Sequence, residues 1–199
     1  FDLQLYLRSR FIDKGYKVSQ IGTKKISGLF GLHPLPDFLF NTQYSDVDKV
    51  YAFNRVMKDV SRQEKPDVIL LGIPDSLLPL NNKHRFSFGL YAYEIFNAVQ
   101  PDFVITSLMA NNGYNDEFYS EISKMAKYKY NVNIDAYFVS QFCPLSNSIW
   151  SEKLSYVYLS RMELPKTEYK VYTTSDLNND ILFKQAEKKL LLYGKYEQY

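Results

Sequence analysis

Lys65-Pro66-Asp67-Val68-Ile69-Leu70-Leu71-Gly72-Ile73-Pro74-Asp75 carries an unbroken apolar run that opens on Pro66-Asp67 and closes at Gly72 and Pro74. A strand with one wet face alternates polar and apolar side chains, and this run does not, so it reads as a strand covered on both faces. The same opening returns at Gln100-Pro101-Asp102, ahead of Phe103-Val104-Ile105-Thr106. A stretch of helical periodicity precedes each of them, and two helix-strand units in succession predict a parallel sheet with crossover helices. The expected fold is α/β: a three-layer, mostly parallel sheet with helices on both faces, in a P-loop-NTPase-like or Rossmann-like layout. In such sheets ligands lie beyond the carboxyl ends of the strands, which directs attention to residues 72–84 and 107–112.

The chain of 199 residues suits a single α/β domain over residues 1–199, and a hydrophobic content of 46% is enough for a sizeable core. Lys and Arg number 24 against 22 Asp and Glu. The basic residues are scattered, so no nucleic-acid footprint follows. The single cysteine, Cys143, allows no internal disulfide and supplies no metal site by itself, which fits a reducing, cytoplasmic compartment. The longest uncharged apolar run, residues 68–73, is too short to span a bilayer, and Asp2, Arg8 and Arg10 are not followed by a signal-peptide core. Neither a membrane nor a nucleic acid is an expected partner; a homo-oligomer is compatible with this composition. The 18 Tyr and 14 Phe read first as core and boundary residues.

Working outward from residues 65–75, Ser45 is placed to cap a helix over residues 46–63, with Asp48 at the capping-box position and Val47, Val50, Tyr51, Phe53, Asn54 and Met57 bracketing its buried face. Upstream, Leu3, Tyr6, Leu7 and Phe11 predict a helix over residues 2–14 stopped by Gly15, then a strand over 16–21. The glycine- and proline-bearing loop at 22–40 is longer than usual connections and reads as functional or mobile. Downstream come a loop at 74–86, a helix over 87–99, a strand over 102–108, and a helix opened by Asn115, Asp116 and Glu117 with Lys124, Lys127 and Lys129 near its end. A strand over 132–139, an irregular region at 141–151, strands near 155–160 and 169–174, and a helix over 178–193 complete the chain. Doubly wound sheets usually begin with a strand, whereas this sequence begins inside a helix that feeds one. The expectation is therefore that a first strand and a glycine-rich phosphate loop precede Phe1, and that the chain is the C-terminal part of a longer protein.

Four stretches carry a family resemblance: Lys14-Gly15-Tyr16-Lys17-Val18-Ser19-Gln20-Ile21-Gly22; His33-Pro34 with Pro36-Asp37-Phe38; residues 66–74; and Pro79-Leu80-Asn81-Asn82-Lys83. Together they resemble the C-terminal part of clostridial peptide maturation system proteins, accessory proteins associated with radical-SAM enzymes and short cysteine-rich precursor peptides. The resemblance covers most of residues 1–139. It implies a nucleotide-binding-like α/β domain, a nucleotide with magnesium as cofactor of the full-length protein, and a precursor peptide and a radical-SAM maturase as partners. Against a working NTPase stands the lack of a Gly-x-x-x-x-Gly-Lys-Ser/Thr motif. The strand at 67–73 also ends in Gly72 where a P-loop enzyme places an aspartate; the nearest acid is Asp75.

The densest polar cluster is the loop holding Asp75, Ser76, Asn81, Asn82 and Lys83, with His84 and Arg85 beside it. Asparagine amides and a lysine suit an anion, although the same residues also make ordinary turns and caps. Thr23 and Lys24, with Gly72, are candidates for the other side of such a site. His33, His84 and Asn111 are weaker candidates: neither histidine has a carboxylate partner fixed by spacing, and Asn111-Asn112-Gly113 is first a turn signal. Cys143 has no histidine partner readable from sequence, and the two histidines make no zinc pattern. Two function classes follow. One is a non-catalytic partner presenting loops 22–40 and 141–153 to a peptide or a maturase. The other is an enzyme, an NTPase or group transferase, that binds a nucleotide or phosphorylated small molecule at the strand ends.

Overall fold

The apolar run forms a strand, Val68–Leu71, half-buried at every position instead of buried because it lies at the edge of its sheet, and parallel to Val18–Gly22 with Val18 opposite Val68 and Ile21 opposite Leu71. In the computed structural model, which describes residues 2–23, 25–111, 113–160 and 162–193, the chain divides into two compact units. Phe1–Pro79 with Phe86–Gln100 form the first; Leu80–Arg85 with Pro101–Tyr199 form the second. The fold is α/β, with three-stranded parallel sheets flanked by helices.

The first unit runs α1 (Asp2–Asp13), β1 (Val18–Gly22), β2 (His33–Pro34), α2 (Asp46–Glu64), β3 (Val68–Leu71) and α3 (Leu90–Ala98), with sheet order β2-β1-β3. Local chemistry sets these boundaries. Ser45 Oγ accepts the Asp48 N–H at 3.2 Å to cap α2, and Lys65 ends it in the left-handed region at φ 47°, ahead of a proline that cannot continue a helix. The Asp67 carboxylate then accepts the Lys17 N–H at 2.7 Å while the Asp67 N–H donates to the Lys17 carbonyl at 2.8 Å, which locks β3 in register with β1. Ile21, Ile69 and Leu71 pack with Phe53 and Met57 of α2 and Ile95 of α3. Outside that cluster α1 lies along β1, Arg8 donating to the Val18 carbonyl at 2.9 Å and Gln4 to the Ile21 carbonyl at 3.3 Å.

Two features depart from the sequence reading. The buried face of α2 is Lys49, Phe53, Met57 and Val60, whereas Val47 and Tyr51 are exposed. The rotation follows from Glu94 of α3, whose carboxylate meets Lys49 Nζ at 3.1 Å and draws that lysine inward. Secondly, α3 starts at Leu90 and not near Ser87, because Phe86, Phe88 and Gly89 hold φ of 53°, 54° and 74°, left-handed positions that a right-handed helix cannot contain.

The second unit runs β4 (Ile105–Leu108), α4 (Asp116–Tyr130), β5 (Ala136–Val139), β6 (Phe142–Pro144), β7 (Tyr156–Tyr158), β8 (Val171–Tyr172), α5 (Thr174–Leu177) and α6 (Ile181–Tyr193). Its parallel sheet has the order β4-β5-β8, and β6 pairs with β7 as an antiparallel ribbon inside what reads from sequence as irregular chain. Here Asp135 fixes the register, accepting the Val104 N–H at 2.9 Å and tying in α6 through Lys189 at 2.6 Å. The core is aromatic: Tyr119, Ile122 and Tyr137 pack with Phe118, Tyr169 and Val171, and the Tyr137 hydroxyl donates to the Tyr119 carbonyl at 3.0 Å. Among the described residues no helix is long and apolar enough to cross a membrane.

Candidate functional site

At the carboxyl end of the first unit's sheet, β1 leads into Thr23 and β3 into Gly72. The Gly72 N–H donates to the Ile21 carbonyl at 2.9 Å, the same carbonyl that accepts from Gln4. A β-carbon on Gly72 would lie 2.6 Å from both ends of the Gln4 amide and 2.6 Å from the Thr23 methyl. A larger residue there would need the Gln4 amide end and the Thr23 methyl to move. Thr23 and Gly72 are thus brought together as neighbours in packing, and α1 fills the gap between them.

The remaining candidates divide between the two units. In the first, Asp75 takes a left-handed conformation at φ 67°, and its Oδ2 accepts the Ser87 N–H at 2.8 Å and the Ser87 hydroxyl. Ser76 Oγ donates to the Leu78 carbonyl at 2.6 Å, a local turn. In the second unit, Asn81 Oδ1 accepts the N–H groups of Lys83 and His84, each at 2.8 Å, and Asn81 Nδ2 donates to the Ile149 carbonyl at 2.7 Å. Lys83 Nζ donates to the Trp150 carbonyl at 2.7 Å, and the Asn82 carbonyl accepts from Arg85 at 3.0 Å. His84 is half-buried and accepts the Leu80 N–H through its carbonyl at 2.9 Å. Asn111 Oδ1 closes an Asx turn on the Gly113 N–H at 2.7 Å. Lys24 and Asn112 lie outside the described residues. Asp75, Ser76, Asn81 and Lys83 therefore already have protein partners, as caps, turns and a clasp on residues 149–150, whereas the buried His84 Nε2 meets no hydrogen-bond partner among the described residues.

The constellation that sequence reasoning missed is built around His33. Its Nε2 lies 2.5 Å from Glu64 Oε1, and the buried Ser19 hydroxyl donates to Glu64 Oε2. The Ser19 bond is the largest influence holding the Glu64 carboxyl below its ordinary range; the His33 bond and charge and the Lys17 charge act the same way, against burial. Ser19 is the second residue of β1, His33 opens β2 and Glu64 ends α2. They lie 45 and 31 positions apart in sequence, so no spacing pattern announces them. With the carboxylate on Nε2, His33 Nδ1 meets no partner among the described residues, the arrangement of an oriented acid–base group.

Cys143 is half-buried, with Sγ 3.7 Å from the Pro144 carbonyl. No group of three or more His, Cys, Asp or Glu that could hold a metal occurs among the described residues. A shallow groove of about 320 Å³ opens elsewhere on the first unit, floored by Met57, Ile69, Ala98 and Val99. These features describe an α/β protein in which Gln4 of α1 lies against the ends of β1 and β3. Comparison with protein-family models, with curated proteins and with solved structures returns no match for this chain.

Proposed function

We propose that the chain is a binding component of a ribosomal peptide maturation system: a nucleotide-binding-like α/β scaffold that engages a precursor peptide or its radical-SAM maturase and does not itself turn over nucleotide. The observation that carries this reading is the packing at Gly72. Phosphoryl transfer needs a carboxylate-held magnesium and a cradle of donors around the phosphates. At the end of β3 there is no carboxylate, and a β-carbon at Gly72 would come within 2.6 Å of the Gln4 amide and the Thr23 methyl, so a side chain there requires both to move. The segment at 25–40 adds support. Leu32, Leu35 and Leu39 are buried, while Leu29 and Phe30 remain 83% and 58% exposed, as expected of a surface that another chain covers.

Co-purification of the tagged chain with the maturase and its precursor peptide tests this. Capture of either, lost in a Leu29→Asp variant with an unchanged circular dichroism spectrum, is the expected result. No capture of either partner overturns the reading. A second reading, an acid–base enzyme, draws on His33 and Glu64; it predicts turnover of a substrate that His33→Gln abolishes.

A further inference from the structure

The β6–β7 ribbon has one protected edge and one open edge. Leu145 N–H donates to the Ser155 carbonyl at 2.9 Å, and Leu159 N–H donates to the Gln141 carbonyl at 2.8 Å. With Phe142 opposite Tyr158, Cys143 opposite Val157 and Pro144 opposite Tyr156, that pattern turns the backbone groups of Tyr156 and Tyr158 away from β6. On the outer edge of β6, the Phe142 carbonyl accepts the Ala110 N–H at 2.8 Å, and Pro144 has no N–H to offer. On the outer edge of β7, the N–H and carbonyl groups of Tyr156 and Tyr158 meet no partner among the described residues. Natural monomers guard such edges with lysine, proline or a bulge. Leu154-Ser155-Tyr156-Val157-Tyr158-Leu159-Ser160 contains neither a charge nor a proline, and the three β7 side chains are 47%, 40% and 59% exposed. A two-stranded ribbon is marginal in water without a further strand beside it.

We propose that β7 is a self-association edge, on which a second copy of this chain pairs antiparallel through Tyr156–Tyr158 about a two-fold axis at Val157. The register is self-complementary. Tyr156 of one copy falls opposite Tyr158 of the other, and these are the residues whose donors and acceptors face outward. Each of the two such pairs exchanges both bonds, while the valines meet on the axis as the closely spaced, non-bonded pair. Tyrosine rings then face one another across the strands, a favourable pairing, and no like charges are brought together within residues 154–160.

Sedimentation velocity on the whole chain over a concentration series tests the proposal. The wild type is expected to pass from monomer to dimer as concentration rises. Val157→Lys places two like charges on the axis and is expected to weaken association at least about tenfold with an unchanged circular dichroism spectrum. Tyr156→Lys serves as a second disrupting variant if the first folds poorly, and Tyr128→Lys, at an exposed site on α4, is expected to leave association intact. A wild type that stays monomeric throughout, including one whose edge takes an extended peptide from another protein, overturns the proposal. So does a dimer that both edge variants leave intact.

Discussion

Replacing Lys49 by methionine removes the cation that meets a carboxylate with no solvent contact. The Lys49 and Glu94 side chains are 8% and 0% exposed and meet at 3.1 Å, joining α2 to α3. Burial raises the Glu94 pKa above the ordinary carboxylate value and Lys49 pulls it down, with nearby Asp46 adding to the rise. Breaking a buried pair from one side leaves an uncompensated charge and costs about 3–5 kcal/mol. That is a large part of the roughly 5–15 kcal/mol by which domains are stable. At a urea slope of about 2 kcal/mol per M, the unfolding midpoint of Lys49→Met falls by roughly 1.5–2.5 M. The sign with pH is fixed as well. A carboxyl whose folded pKa is raised costs least below its unfolded value of 4.5 and most once pH exceeds the folded value, so the Lys49→Met defect grows from acid toward neutral pH. The double variant Lys49→Met/Glu94→Leu leaves no buried charge and is expected to recover most of the loss. Urea titrations followed by far-ultraviolet circular dichroism at acid and neutral pH read all three. A single variant that loses less than about 1 kcal/mol at neutral pH, or a double variant no more stable than the single, refutes the reasoning.

Gly72→Ala is expected to destabilise by about 1–3 kcal/mol through overpacking against Gln4 and Thr23, measured by urea unfolding; a neutral alanine would mean that the strand end has room. The Tyr114 pKa is pushed up to about 12, chiefly by burial and then by Tyr119 and Cys143. Its stabilising contribution is therefore intact below the unfolded value of 10.0 and is lost as pH rises from there toward about 12; Tyr114→Phe should flatten that limb of a melting-temperature profile. For Glu64 the direction is opposite. Its depressed pKa gives stability above 4.5 that is lost as pH falls through the folded value, and Ser19→Ala should move the carboxyl back toward 4.5 in a carbon-13 NMR titration.

The parallel sheets were legible because their strands are apolar without alternation, Ala136–Val139 being buried at every position and Val68–Leu71 half-buried, and Pro66 and Asn115 mark helix boundaries by local chemistry that needs no tertiary context. What stayed hidden depends on distant partners. Lys49 reads as a surface residue until Glu94 is placed beside it, which is why the inward face of α2 comes out rotated. Ser87 reads from sequence as the start of a helix, yet its N–H and hydroxyl are taken by Asp75 and its neighbours hold left-handed backbone. The β6 strand is concealed by Pro144, whose missing donor matters only once the pairing direction is known. For the candidate site, sequence located polar residues at strand ends but could not tell a ligand's partner from a turn; Asn81 and Lys83 bond the 149–150 segment, and the Ser19, Glu64 and His33 group has no sequence signature.

The central question for this protein is whether its strand end handles nucleotide at all. Isothermal titration of the whole chain with magnesium-ATP and magnesium-GTP, run beside a phosphate-release assay, addresses that most directly. The packing of Gln4 and Thr23 on Gly72 predicts no heat beyond dilution and no phosphate release above buffer. Magnesium-dependent phosphate release that disappears in Asp75→Ala, or nucleotide binding that disappears in Lys83→Ala, would contradict it.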